Sequence, residues 1–138
     1  MFDWVENYPW TKVTSNNVEP WRQIGSSWMD FIEREMPGWF GITAGMCAAV
    51  QGVIDAHPGS SVEIMQFKEK YGSARLYFTS TEDIFAEVDD IIHAYELKSA
   101  TTCIKCGKEG KKRYDSWIVT LCDDCNENSV IKHSFPEY

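Results

Sequence analysis

The sequence predicts an α+β fold, with helices packed on a β-hairpin or small antiparallel sheet and a C-terminal four-cysteine zinc ribbon. Three observations carry that expectation. Apolar residues recur at helical spacing in three separate stretches. Between the second and third, a segment alternates with period two on either side of a Tyr-Gly turn. Four of the five cysteines fall as C-x2-C-x15-C-x2-C near the C-terminus. At 138 residues the chain has the length of one domain able to bury a core. We expect a helix-helix-hairpin-helix core over residues 1–98, and the ribbon with a tail over 99–138.

The first helix is expected from Pro20, where Trp21, Ile24, Trp28, Met29 and Ile32 line one face until Pro37-Gly38 breaks the pattern. A second is expected from Trp39 or Ile42 to Ala56, with Met46, Ala49, Val50, Val53 and Ile54 inward. His57-Pro58-Gly59 ends it, and His57 reads as a C-terminal cap or loop residue. Val62–Phe67 and Ala74–Thr79 form a predicted hairpin about Lys70-Tyr71-Gly72, with Ala74, Leu76 and Phe78 on its buried face. Thr81 then reads as the N-cap of a third helix running to about Lys98. Ile84, Phe85, Val88, Ile91, Ile92 and Tyr95 form its apolar stripe. Glu82, Asp83, Glu87, Asp89, Asp90 and Glu96 form a solvated acidic face, and His93 is a surface histidine. Residues 1–17 and 126–138 carry little pattern and are expected to be irregular or partner-dependent. The aromatic share is 14%, and five of six tryptophans lie within the first 39 residues, a surplus of the kind that marks interfaces.

The cysteine spacing is the most specific signal in the chain. Thiolates two residues apart grip one ion from a tight turn, and a second such turn returned by a hairpin completes a tetrahedron at about 2.3 Å. Cys103, Cys106, Cys122 and Cys125 are therefore the expected ligands of one structural Zn2+ per chain. Gly107 suits the left-handed backbone of the first turn. Four sulfurs close the coordination sphere and leave no position for a catalytic water. Two disulfides are the competing reading, favoured only in secreted chains. The segment starting Met1-Phe2-Asp3-Trp4 lacks the layout of a secretory signal, so a reducing, cytoplasmic setting is expected. Cys47, inside an apolar helical pattern, reads as a buried core thiol. Chelation is expected to melt the ribbon and spare the hairpin-and-helix core, with Trp117 fluorescence as its reporter.

Gln66-Phe67-Lys68-Glu69-Lys70-Tyr71-Gly72 followed by Ala74-Arg75-Leu76-Tyr77-Phe78 resembles a motif in a family of small uncharacterised bacterial and phage proteins. The resemblance continues through Ser99 and Thr102, the Cys103 to Gly107 knuckle, Trp117 and Thr120-Leu121-Cys122, and upstream to Gly38-Trp39. It covers roughly residues 38–125. Members often carry Leu-Arg where this chain has Ala74-Arg75-Leu76. The resemblance implies a bacterial cytoplasm, or a host cytoplasm for a phage protein, and it implies no activity.

No apolar run approaches the roughly 20 residues of a membrane helix, so no membrane partner is expected. The net charge of −8 disfavours general nucleic-acid affinity. Charge is uneven, however. Residues 1–97 carry 6 basic and 15 acidic side chains, and residues 98–138 carry 7 and 6. Lys105, Lys108, Lys111, Lys112, Arg113 and Trp117 are the candidate contacts to a partner or to nucleic acid through residues 98–117. Zinc with four thiolates lowers that local balance from +1 to −1. The expected function is a zinc-stabilised, non-catalytic protein-binding or regulatory protein, such as a phage factor acting on a host protein. The alternatives are a nucleic-acid-binding protein using the ribbon, or a Mg2+-dependent nuclease built on Asp55, Glu63, Gln66 and Lys68. No catalytic residue is assigned, because no convergent nucleophile and base set is found.

Overall fold

The computed structural model describes residues 2–14, 25–114 and 117–128. Asp3 opens helix α1 (Trp4–Asn7), its carboxylate accepting the Glu6 amide at 2.9 Å. A 3-10 turn follows at Pro9–Thr11. This stretch, poor in sequence pattern, is held by polar anchors rather than by periodic burial. The Trp10 indole donates to Gln51 Oε1 at 2.9 Å, and the Thr11 hydroxyl lies 2.7 Å from that of Ser27.

Helix α2 (Trp28–Glu35) starts later than its apolar spacing suggests, and residues 20–24 of the expected helix lie outside the described ones. Ser27 is extended and caps the Met29 amide, which fixes the start. The helix stops at Met36, because a residue before proline is pushed out of helical geometry. Helix α3 (Phe40–Ala56) buries Thr43, Met46, Cys47 and Val50. Ala49, expected inward, is exposed, and Val53 and Ile54 are half-buried. Its inward arc is set by the helices beside it, which admit the polar Thr43 because its hydroxyl is bonded to Trp39 O and Tyr95. His57 ends the helix as expected, with Nδ1 2.8 Å from Val53 O. The segment Pro37–Ala56 is long and apolar enough, by those measures alone, to cross a membrane. The expectation that no apolar run approaches that length is corrected here, because the glycines and Gln51 between the apolar residues do not lower the mean hydropathy enough to exclude it.

Strands β1 (Val62–Lys70) and β2 (Ser73–Ser80) pair antiparallel through a two-residue turn. Tyr71 and Gly72 both have positive φ, +54° and +85°, the geometry whose twist matches a hairpin. A bulge between Ile64 and Gln66 shifts the phase, so Val62, Ile64 and Phe67 all face inward. Opposite them, Ala74 and Leu76 are buried and Phe78 is half-buried, as the alternation requires.

Helix α4 (Phe85–Ser99) follows a 3-10 turn at Glu82–Ile84. Three expectations change here. Thr81 sits at the N-terminal boundary, but its hydroxyl accepts the Ser61 amide and caps no helical amide. Phe85 is 47% exposed and stacks on Phe78 at 5.3 Å. Glu96 leaves the acidic face and accepts the Leu76 amide at 2.8 Å. Glu82, Asp83, Glu87, Asp89 and Asp90 are exposed, and so is His93.

The ribbon comprises β3 (Lys111–Tyr114), β4 (Ile118–Leu121) and the short helix α5 (Asp123–Glu127). The protein is thus α+β, with two small antiparallel sheets. Its buried core is continuous, and Cys103, Ile104, Val119, Leu121 and Cys122 belong to the same cluster as Trp28, Trp39 and Phe67. Apolar packing therefore crosses the boundary expected at residue 98.

The stack of Phe67 on Trp28, with centroids 5.4 Å apart and planes 9° apart, sits at the centre of that core. Phe67→Ala is expected to cost about 3–5 kcal/mol in denaturant unfolding. Tyr77→Ala on the outer face of the hairpin should stay within about 0.5 kcal/mol.

Candidate metal centre

Two turns present the four sulfurs. In the first, the Cys103 amide donates to Lys108 O at 2.8 Å and the Gly107 amide to Cys103 O at 3.0 Å. Gly107 closes that turn with φ +83°, the role expected of it. In the second, Cys122 caps α5, its sulfur accepting the Cys125 amide at 3.4 Å. Ile104 N donates to Thr120 O at 3.0 Å and ties the two turns together.

The four Sγ atoms all lie within 4.8 Å of one another, and Cys106 and Cys122 are 3.6 Å apart. A tetrahedral ion with sulfurs at about 2.3 Å needs them roughly 3.8 Å apart. None of the four is in a disulfide, whose S–S distance is about 2.05 Å. The cluster can hold a metal ion. Cys103 and Cys122 are buried, Cys125 is half-buried and Cys106 is exposed, so the site lies at the edge of the core with one side toward solvent.

The electrostatics favour a cation. Burial pushes the Cys103 thiol up, yet the amides of Cys122, Cys106 and Lys105 point at its sulfur and bring it down to about 7. Burial, followed by the three neighbouring sulfurs, pushes the Cys125 thiol far above its usual range. One thiolate is readily formed and the next is resisted by it. A bound divalent cation removes that conflict.

The centre is fastened to the α+β core by a set of close backbone approaches. The Gly38 amide donates to Ile104 O at 2.8 Å, and the Trp39 indole to Thr102 O at 2.8 Å. A Cβ on Gly38 would run into Cys103 O, and would lie 2.7 Å from both Gly107 N and Ile104 C. Thr120 Oγ1 donates to Gly72 O at 2.6 Å, and a Cβ on Gly72 would lie 2.9 Å from that oxygen. Ser99 Oγ accepts the Ala74 amide at 2.7 Å, and Thr102 Oγ1 bonds Lys98 O at 2.7 Å. Gly38-Trp39, Gly72, Ser99, Thr102 and Thr120 stood in the sequence only as words of a motif. Together they form the seam between core and ribbon. The signal available was a glycine beside a large aromatic or a turn, far from the cysteines in sequence.

No family model, characterised protein or solved structure matches this chain. The site is read from its own geometry. The basic residues expected to meet a partner fare unequally. Arg113 is 15% exposed, bonding Leu121 O and Asp123. Lys108 and Lys111 each stand 4.0 Å from a carboxylate of α5, Asp124 and Asp123. Lys105 and Trp117 are half-buried, and Lys112 lies against the hairpin turn, with Cγ 3.5 Å from a Gly72 Cβ position. The nuclease set is not assembled. Asp55 is bonded to Gln51, and Lys68 lies over the Tyr77 ring. Among the described residues, the four cysteines are the only group of three or more acids, histidines or cysteines placed to share an ion.

Gly38→Ala has no room to relax, since the atoms in its way are backbone. It is expected to cost about 1–3 kcal/mol or more and to weaken metal retention in a competition with a chromogenic chelator. Gly45→Ala, with nothing within 4 Å in mid-helix, should instead stabilise by about 0.5–1 kcal/mol. Thiol titration separates the five cysteines. Chelation should expose the four ligand cysteines to rapid reaction, while Cys47, fully buried and pushed up by that burial, stays unreactive as long as the metal is bound and the core is closed.

Proposed function

We propose that the chain is a zinc-stabilised, non-catalytic binding protein whose partner is another protein, in the manner of a phage or bacterial regulator working in the cytoplasm. The observation that supports this most is the arrangement of the four sulfurs. A tetrahedral ion bound by all four has no open position for water or substrate, which suits a structural ion. Zinc is favoured over an iron–sulfur cluster because the four sulfurs lie at the separation one ion requires.

A partner protein is favoured by what the surface offers. Phe85, Met65 and Leu97 are all about half exposed or more, a supply of the large side chains that anchor interfaces. The reading through ribbon lysines loses support where Asp123 and Asp124 oppose Lys108, Lys111 and Arg113.

The test has two parts. Metal analysis of the protein purified under reducing conditions should give one zinc per chain and no visible absorption band. Iron with a thiolate charge-transfer band would contradict it. A tagged pull-down from nuclease-treated bacterial lysate should capture one stoichiometric protein, lost on chelation. No stoichiometric protein, or turnover of a substrate by the isolated chain, would count against the proposal.

A further inference from the structure

Half of the six basic side chains in residues 1–97 gather on one surface, the outer face and turn of the β1–β2 hairpin. Lys68 stands directly across from Arg75, and Gln66 across from Tyr77. Lys70 and Tyr71 continue the surface into the turn, and Lys112 flanks that turn from the ribbon. Among the described residues, none of Lys68, Lys70, Arg75 and Lys112 is paired with a carboxylate. Glu69, on the other strand face, is occupied with the Gly72 amide, and Glu63, opposite Thr79 at the far end of the outer face, is paired with none of these cations. Like charges directly opposite one another across a hairpin destabilise it. A cluster of cations with no carboxylate paired to any of them favours an anionic occupant.

The aromatic residues say which anion. Lys68 Nζ lies 5.6 Å from the Tyr77 ring centre, and Lys70 Nζ lies 5.6 Å from that of Tyr71. The two rings are 47% and 59% exposed. Each cation thus lies beside a half-exposed tyrosine, which places a phosphate site next to a base site. A protein partner docks its apolar core on an apolar patch, and this face is mostly polar, composed of Glu63, Gln66, Lys68, Arg75, Tyr77 and Thr79 with Met65 at the bulge. A duplex already stacks its bases on one another and leaves the rings without partners.

We infer that the outer face of the β1–β2 hairpin binds single-stranded nucleic acid, through Lys68, Lys70 and Arg75 on phosphates and Tyr71 and Tyr77 on bases. This goes beyond the protein-binding reading and stands on different residues. The acidic α4 lies along the free edge of β2, where Glu96 and Ser99 accept the Leu76 and Ala74 amides, and its exposed carboxylates repel a strand that strays from the outer face.

The experiment is fluorescence anisotropy of the metal-loaded full chain with labelled oligo-dT and oligo-rU of about 20 nucleotides, longer than a site of about 4–16. Three phosphate contacts give a log–log salt slope of about −2, so affinity should fall roughly twentyfold between about 50 and about 200 mM salt. The double variant Lys68→Glu/Arg75→Glu should weaken binding at least about tenfold. Tyr77→Ala should weaken it roughly tenfold. Unchanged metal content and urea midpoint show that each variant is folded. No binding at low salt, or equal binding by the folded double variant, overturns the inference. So does displacement of the oligonucleotide by poly-L-glutamate at matched charge concentration, which assigns the face to an acidic protein. The double variant repeated in the lysate pull-down keeps the two readings apart, because a protein partner bound elsewhere is retained.

Discussion

The backbone of Gly38 lies against the Cys103–Gly107 turn so closely that no side chain fits between them. Much of the molecule is arranged around that approach. A metal ion bound by Cys103 and Cys106 would hold that turn closed. The Gly38 amide satisfies Ile104 O, and the neighbouring Trp39 is fully buried with its indole bonded to Thr102 O. Trp39 O in turn holds the Thr43 hydroxyl in α3, and Thr43 meets Tyr95 in α4. A short chain of buried hydrogen bonds thus runs from the metal turn into both long helices. Buried polar groups of this kind carry a high cost when unpaired, so the metal centre and the helical core have a shared interest in order.

A second tie runs through the hairpin. Gly72 closes the β1–β2 turn in left-handed geometry, and its carbonyl accepts from Thr120 on β4. One residue serves two needs here, since a turn requires its φ and the ribbon requires its missing side chain. The ribbon meets the core along two glycines, with Thr102 and Thr120 supplying the hydrogen bonds. Among the described residues, Lys112 and Thr120 of the ribbon lie against the hairpin turn. Charge is sorted by surface, with acids along α4 and cations on the outer face of the hairpin.

Much of this was legible in the sequence. The class, the hairpin, the long helices and the four cysteines follow from local rules: period, turn residues and spacing. What local rules could not reach was mostly tertiary. Thr81 is spent on Ser61 instead of a helix amide, and Glu96 leaves an otherwise solvated face to meet the Leu76 amide. Ala49 and Phe85 fit the helical period but fall outside the arc their neighbours cover. The basic stretch around the cysteines reads as free charge until α5 folds Asp123 and Asp124 back upon it. Only the seam of Gly38, Trp39, Gly72 and Thr120 had been visible as residues without a visible purpose, because its partners are some 50 to 65 positions away.

Hydrogen exchange on the metal-loaded and chelated protein addresses the central claim most directly. If the metal turn and the core are one cooperative unit, chelation should remove protection from Cys103, Ile104 and Gly107 and, with them, from the Gly38 amide and the Trp39 indole. Loss confined to the ribbon, with Gly38 and Trp39 still protected, would show that the core stands without the metal and would contradict the account.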